Sequence, residues 1–458
     1  MTRNLAAALA LLAAGCSVGP NYTRPDVDLP KDWGVAQASL PASARWWTLF
    51  QDPVLERLVD EALGANRDLK AAAERIEQAR AQLAVTRADQ LPAIGIEATR
   101  SRDHASSRGS FPLPPEFVNT NTHRLVARAS WELDFWGKFR RATEAARADL
   151  AASEAGGEAI RVTLAADVVR GYFALEALER RSEVALRTLE GRRKSFELQK
   201  LRFDSGAVSE LELRQVESDR IEAEALAPQI DQARTREEGA LALLLGRTPR
   251  EILSTRVATG TPVTPPAIEV PAGLPSDLLL RRPDLRQAEA RLHAANARIG
   301  VARAAYFPRI SLTGFYGGES QSLGDLFTGP ARAWSAGAGL VQPLFAAGQI
   351  RGGMQLADAR AREAAILYQD AIAKAFREVR DAIAAQSSAR EIFTAQQARE
   401  RALTRTLELE RLRFDNGAVS LFELLDTERL LLNVRLEAID AERNRRDAIV
   451  ELYLALGA

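Results

Sequence analysis

The stretch from Asp68-Leu69 to Arg87 recurs from Asp284-Leu285 to Arg303 at a constant offset, and Leu91-Pro92-Ala93-Ile94 falls on Phe307-Pro308-Arg309-Ile310 at the same spacing. Farther on, Leu201 to Ser209 (LRFDSGAVS) matches Leu412 to Ser420 (LRFDNGAVS) at a smaller offset. A chain written twice from one unit must bury its apolar surface the same way twice, and this confines it to a two-repeat architecture. The first copy is longer between the matched blocks, where Phe111-Pro112-Leu113-Pro114-Pro115 reads as a loop.

Each copy passes through the same periodicities in the same order. A helix rich in Ala, Leu, Ile, Arg and Glu runs from about Leu69 to Ala88. Period-two alternation follows: Leu125, Ala127, Ala129, Trp131 and Leu133 form an apolar face, and Arg124, Val126, Arg128, Ser130, Glu132 and Asp134 a largely polar one. The second copy repeats this with Trp334, Ala336, Ala338 and Leu340, and less regular strands around Ile94, Ile96 and around Ile310, Leu312 precede each, which makes four strands per chain.

From about Phe139 to Phe203, and again from Ile350 to Phe414, no proline interrupts a helical pattern. Roughly 65 residues at 1.5 Å each span on the order of 100 Å, too long for an ordinary globular helix. Gly156-Gly157 is a weak point in the first of these rods. Each rod closes at a glycine suited to the left-handed conformation, Gly206 or Gly417, and a return helix starts at Ser209-x-x-Glu212 or Ser420-x-x-Glu423, a capping-box pattern. The division expected from this is a signal segment over 1–15, an irregular N-terminal segment over 16–65, repeat 1 over 66–246, a proline-rich connector over 247–283 and repeat 2 over 284–458. Trp46-Trp47 in the irregular segment is read as packing.

Arg3 followed by the apolar run Leu5 to Ala14 suits a secretory signal and is too short to cross a bilayer. The one cysteine comes next, and Leu12-Ala13-Ala14-Gly15-Cys16 resembles the bacterial lipobox, in which the cysteine becomes the lipidated first residue. Ser17 after it resembles lipoproteins released to the outer membrane. Several acyl chains at roughly 0.8 kcal/mol per buried methylene would hold the chain to a membrane.

Sixty-one basic side chains balance sixty-one acidic ones, which argues against nucleic-acid binding by bulk charge. A single Cys and three His leave few ligands for zinc or haem, and His104, His123 and His293, placed on loop, strand and helix, show no ligand spacing. No phosphate loop or nucleophile elbow is present, so neither a cofactor nor an enzymatic activity is expected. The Arg and Glu residues of the rods are read as mostly solvated helix faces.

Four strands leave two open edges, and in hydrocarbon each unpaired backbone group costs several kcal/mol. Identical chains that pool their strands can close a barrel with the apolar face toward lipid, and two, three or four copies would give eight, twelve or sixteen strands. The competing reading is a lipid-anchored coiled-coil tether that conducts nothing.

Three further pieces make the chain similar to the TolC-like outer-membrane efflux channels, in the lipoprotein branch that serves resistance-nodulation-division pumps. They are Cys16-Ser17-Val18-Gly19-Pro20-Asn21-Tyr22, Trp46-Trp47 with Phe50-x-Asp52-Pro53, and Leu280-Arg281-Arg282-Pro283-Asp284-Leu285 continuing to Ile299-Gly300-Val301-Ala302 and Phe307-Pro308. The resemblance covers nearly the whole chain. It implies an α+β membrane protein, a homotrimer whose twelve-stranded β-barrel in the outer membrane is continued by an α-helical periplasmic barrel. It also implies a periplasmic adaptor and an inner-membrane pump as partners, with passive conduction of drugs or other small molecules. The periplasmic gate carried over by the resemblance falls on Phe422, Glu423, Asp426 and Arg429. Gln215 stands in the first copy where Asp426 stands in the second. The tips Gly206-Ala207-Val208 and Gly417-Ala418-Val419 are the implied adaptor contacts. A type I secretion duct is the remaining alternative.

Overall fold

The computed structural model describes residues 17–30, 45–106, 108, 114–254, 256–257, 259–260 and 278–457. Cys16, the signal segment and 111–113 of the proline-rich loop therefore lie outside the described residues. The elements that carry the argument are α1 (Pro53–Ala65), α2 (Arg67–Ala88), β1 (Ala93–His104), β2 (Asn119–Leu133), α3 (Lys138–Asp204) and α4 (Glu210–Leu244) in the first half. The second half holds α5 (Pro283–Ala304), β3 (Arg309–Ser320), β4 (Arg332–Val341), α6 (Gln349–Asp415) and α7 (Leu421–Leu456). Helix, hairpin, long helix and return helix thus occur twice. Both long helices have 67 residues, and α3 runs unbroken through Gly156-Gly157. Among the described residues no helix is long and apolar enough to cross a membrane.

The backbone contacts divide into two compact units, each drawing on both halves of the chain. The first comprises the described parts of Met1–Asp26, Arg75–Glu154 and Gln287–Gln369 and holds the sheet. Its N-terminal strand of irregular chain is fastened by charge and shape. Arg24 donates two hydrogen bonds to Glu289 at 2.7 and 2.8 Å, Tyr22 stacks on His293 with centroids 4.7 Å apart, and Arg141 donates to Asn21 Oδ1 at 2.7 Å. Gly19 has φ +108° and packs so close to Gly300 that a Cβ on it would lie 2.5 Å from the Gly300 Cα. Two of the family-like sequence pieces therefore meet here, and both need glycine for the approach.

The second unit comprises the described parts of Val27–Glu74, Ala155–Arg286 and Asp370–Ala458. Trp46, Trp47 and Phe50 are buried against α1, Tyr172 and Phe173 of α3, Leu241 of α4 and Tyr453 of α7. Trp46 stacks on Tyr453 at 5.4 Å and Phe50 meets Phe173 edge-on at 4.8 Å, so the tryptophan pair is packing. At about 1.5 to 3 kcal/mol for each fully buried large side chain, this cluster is the main apolar anchor of the unit. Asp52 caps α1 by accepting from Val54 N (2.8 Å) and Leu55 N (3.2 Å), and it also accepts from the Tyr172 hydroxyl. Arg282, in the Arg-Pro-Asp piece, donates to Asp284 and to the Ala455 carbonyl and meets Glu378 at 2.7 Å, pinning the start of α5 to the end of α7.

Three details depart from the expectations. Asp134 does not continue the polar face of β2; its carboxylate accepts from Phe139 N and Arg140 N and starts α3. His104 is the last residue of β1 rather than part of a loop, and bonds Asn119 across the hairpin at 2.8 Å. The Arg–Glu pairs are mostly solvated as expected, but two are shielded links between helices, Arg446–Glu176 at 2.7 Å and Arg192–Glu428 at 3.0 Å.

Asp447 of α7 is a half-buried carboxyl, its side chain 30% exposed, with Arg443 at 3.7 Å, near Arg170, Arg446 and Glu451. Burial outweighs these arginines and pushes it up to about 6. A raised value means that its stabilisation is complete below the unfolded value near 4 and is lost as pH rises through about 6. Asp447→Asn should therefore raise the thermal midpoint at pH 8 relative to pH 5, by on the order of 2 kcal/mol of stability. An unchanged difference between the two pH values would show that Asp447 is solvated in the assembly.

Candidate functional site: a two-faced sheet and paired hairpin tips

The four strands form one antiparallel sheet in the order β1-β2-β3-β4, so β1 and β4 are its edges. Directly opposite residues share a face. The register puts Ile94 with Ala129, Ile96 with Ala127, Ala127 with Tyr316, Trp131 with Leu312, Leu312 with Ala338, and Tyr316 with Trp334. One apolar face therefore crosses all four strands, and it is unprotected within one chain: Ile96 is 82% and Trp334 70% exposed. The opposite face is polar, and its mid-strand arginines are paired. Arg128 meets Glu97 at 2.7 Å, Arg124 meets Glu319 at 3.6 Å, and Ser130 lies opposite Thr313. Such a sheet suits hydrocarbon on one side and water on the other, which is the requirement for a barrel wall.

The two hairpin tips are built alike. Gly206 (φ +74°) donates to Phe203 O and Ala207 to Arg202 O, both at 2.8 Å; Gly417 (φ +71°) donates to Phe414 O and Ala418 to Arg413 O at 2.9 and 2.8 Å. This bonding pattern closes a helix with a left-handed glycine, and a Cβ at either glycine would meet nothing, so the backbone angle alone selects the residue. Ser209 and Glu212 cap α4 reciprocally, and Ser420 Oγ accepts from Glu423 N at 3.3 Å to start α7. Gly206, Ala207, Gly417 and Ala418 are exposed, with Val208 and Val419 half-buried beside them.

Behind the tips the four helices share one core of Phe196, Val216, Phe414, Leu421 and Leu425. An ion network runs through it. Arg192 of α3, buried, reaches Asp219 of α4 and Glu428 of α7, both at 3.0 Å, and Arg411 of α6 reaches Glu428 at 2.8 Å. Burial pushes the Asp219 carboxyl up from its ordinary value, and Arg192 opposes that. This network fixes the face that α7 presents. Leu421, Leu424 and Leu425 point into the core, whereas Phe422, Glu423 and Arg429 are exposed and Asp426 is half-buried on the same side. Arg429 donates to Asp426 at 2.6 Å, one turn along the helix. The four residues singled out in the sequence thus share one exposed to half-buried stripe of α7, while Gln215 sits at the matching place on α4. Sequence reasoning missed Arg192 and Glu428, because their link joins residues far apart in the chain. Among the described residues no group of His, Cys, Asp or Glu side chains is arranged to hold a metal ion.

An edge-exposed, two-faced sheet with long proline-free helices defines a channel-forming membrane protein. The chain belongs to the outer membrane efflux protein family, whose model matches residues 58–247 and 274–458. Outer membrane protein OprJ of Pseudomonas aeruginosa is 36% identical over 98% of this chain and 94% of its own. The cation efflux system protein CusC of Escherichia coli is 33% identical over 98% and 97%. The crystal structure of the Campylobacter jejuni CmeC outer membrane channel superposes with a TM-score of 0.93 at 29% identity, covering 96% of this chain and 95% of that one. The protein is an outer-membrane efflux channel with a periplasmic extension, and its fold is the trimeric one, four strands per chain to a twelve-stranded barrel.

Proposed function

We propose that the chain is the passive export duct of a tripartite pump, a homotrimer docked on a periplasmic adaptor and driven by an inner-membrane resistance-nodulation-division pump. The observation that carries this reading is the sheet, whose continuous apolar face, ion-paired polar face and two open edges demand closure by further copies. Cys16 would carry the lipid that anchors the chain. Phe422, Glu423, Asp426 and Arg429 would form the periplasmic gate, since they share the stripe of α7 that its own chain leaves uncovered. Residues 66–246 and 284–458 act as the two repeats, joined by 247–283. CusC is named for cation efflux and the Pseudomonas putida relative TtgI for toluene efflux, so both charged and apolar small molecules are compatible with a duct of this design.

Tip docking is tested at Ala207 and Ala418, which are exposed and free of the left-handed constraint on their glycine neighbours. Ala207→Trp with Ala418→Trp should still give heat-resistant trimers and ion currents in planar bilayers while abolishing efflux-dependent drug resistance in cells. Resistance at the parental level would reduce the tips to turns. Trimers that carry no current under any voltage would instead favour a tether.

A further inference from the structure

Above its apolar band, the outward face of the sheet turns basic. Ala98, Leu125, Gly318 and Arg332 lie at one level across the four strands, and the next outward residues of β1 are Arg100, opposite His123, and Arg102, opposite Asn121. All three arginines are exposed, and among the described residues none of them has an ion-pair partner. No Asp or Glu occupies this face on any strand, whereas the opposite face holds Glu97, Asp103, Glu132 and Glu319 and pairs Arg124 and Arg128 with carboxylates. At this end of the sheet the charge is therefore sorted by face: among the described residues Arg124 and Arg128 inside are ion-paired, Arg100, Arg102 and Arg332 outside are not, and the unpaired inner Arg309 stands at the far end, where β3 begins. One pleat step toward the middle of the band lies the aromatic pair Tyr316–Trp334, both rings exposed. Aromatic side chains settle at the headgroup boundary, so the arginines stand at headgroup depth. They lie at the end of the sheet closed by the β1–β2 and β3–β4 turns, away from the strand ends that lead into α3 and α6. In a channel whose helices are periplasmic, that end faces the outer leaflet.

We propose that Arg100, Arg102 and Arg332 form a phosphate-binding row for the lipid A headgroup of lipopolysaccharide. The guanidinium fork matches a phosphate with two parallel hydrogen bonds, and a basic residue near an anionic membrane surface contributes roughly a fivefold gain in binding. The inference rests on the outer-membrane channel reading and adds a lipid ligand to it.

The test compares the full-length trimer with its Arg100→Gln/Arg102→Gln/Arg332→Gln variant, titrated in detergent with lipid A, with lipid A stripped of its phosphates, and with phosphatidylglycerol. The expected result is about 100-fold weaker lipid A binding by the triple variant, weak binding of the stripped lipid by both proteins, and weak binding of phosphatidylglycerol by the parent. Arg332→Gln alone, with the β1 residues intact, should lose about fivefold and serves if the triple variant fails to assemble. Equal lipid A affinity in parent and variants overturns the row, as does equal parental affinity for phosphatidylglycerol. Ion currents from the same parental protein report separately: currents without lipid A preference overturn this inference alone, and absence of currents overturns the channel reading and the row with it.

Discussion

Glu176→Ala should lower the stability of the helical unit by about 3 kcal/mol, at the lower end of the cost of breaking a buried pair. Glu176 of α3 and Arg446 of α7 meet at 2.7 Å with side chains only 6% and 4% exposed. Removing the carboxylate leaves a buried guanidinium that retains Glu442 at 2.8 Å and the Phe173 ring at 5.1 Å, which softens the loss. Arg446→Met should cost about as much at neutral pH, because burial already pushes the Glu176 carboxyl up and Arg446 is what opposes it. That variant should regain stability as pH falls, when Glu176 takes up a proton. Glu176→Leu with Arg446→Met removes both charges and should lie within about 1 kcal/mol of the parent. Thermal unfolding of the purified trimers reads all three. Single variants that melt with the parent would mean that the pair does not hold α3 to α7.

The second large effect concerns conduction. Asp426→Ala with Arg429→Ala should raise the open fraction of single channels in planar bilayers by up to about tenfold. An exposed ionic contact that these side chains make between copies only in the closed ring is worth about 0.5 kcal/mol, and three such contacts give about 1.5 kcal/mol, which is about tenfold in an open-to-closed equilibrium. The pair also positions charge: in the proposed gate three Asp426 carboxylates would converge on one axis and repel each other unless Arg429 neutralised them, so Arg429→Ala alone should make the closed channel more cation-selective. Conductance and selectivity identical to the parent in both variants would remove these residues from the gate.

Most of the architecture was legible because it rests on period and punctuation. Alternation from Leu125 to Leu133 placed an apolar face that the register then carried across all four strands. The glycine and serine at each tip placed both helix reversals, and Ser209–Glu212 closes in the reciprocal manner its spacing implies. What the sequence hid is long-range. Nothing local marks Arg446 and Arg192 as buried while neighbouring arginines on the same helices are solvated, since a partner on another helix decides it. Asp134 looked like one more polar strand position because alternation does not say where a strand ends. Pro228 lies exposed inside α4, where proline would ordinarily break a helix, yet the helix continues past it to Leu244. The most family-like pieces, moreover, are fastenings rather than conduit: Gly19 with Gly300, Asp52 with Tyr172, and Arg282 with Ala455 hold one stretch of the chain to another.

The twin tips bear on how such a duct can change over time. Three chains with two hairpins each place six near-equivalent turns around a ring, yet only three of them are followed by an aspartate at the position where their siblings carry Gln215. Packing thus obeys a sixfold frame and chemistry a threefold one. In the proposed duct, a change at Asp426 alters three of the six turns and leaves their siblings as they were, an independence that a single-copy unit lacks.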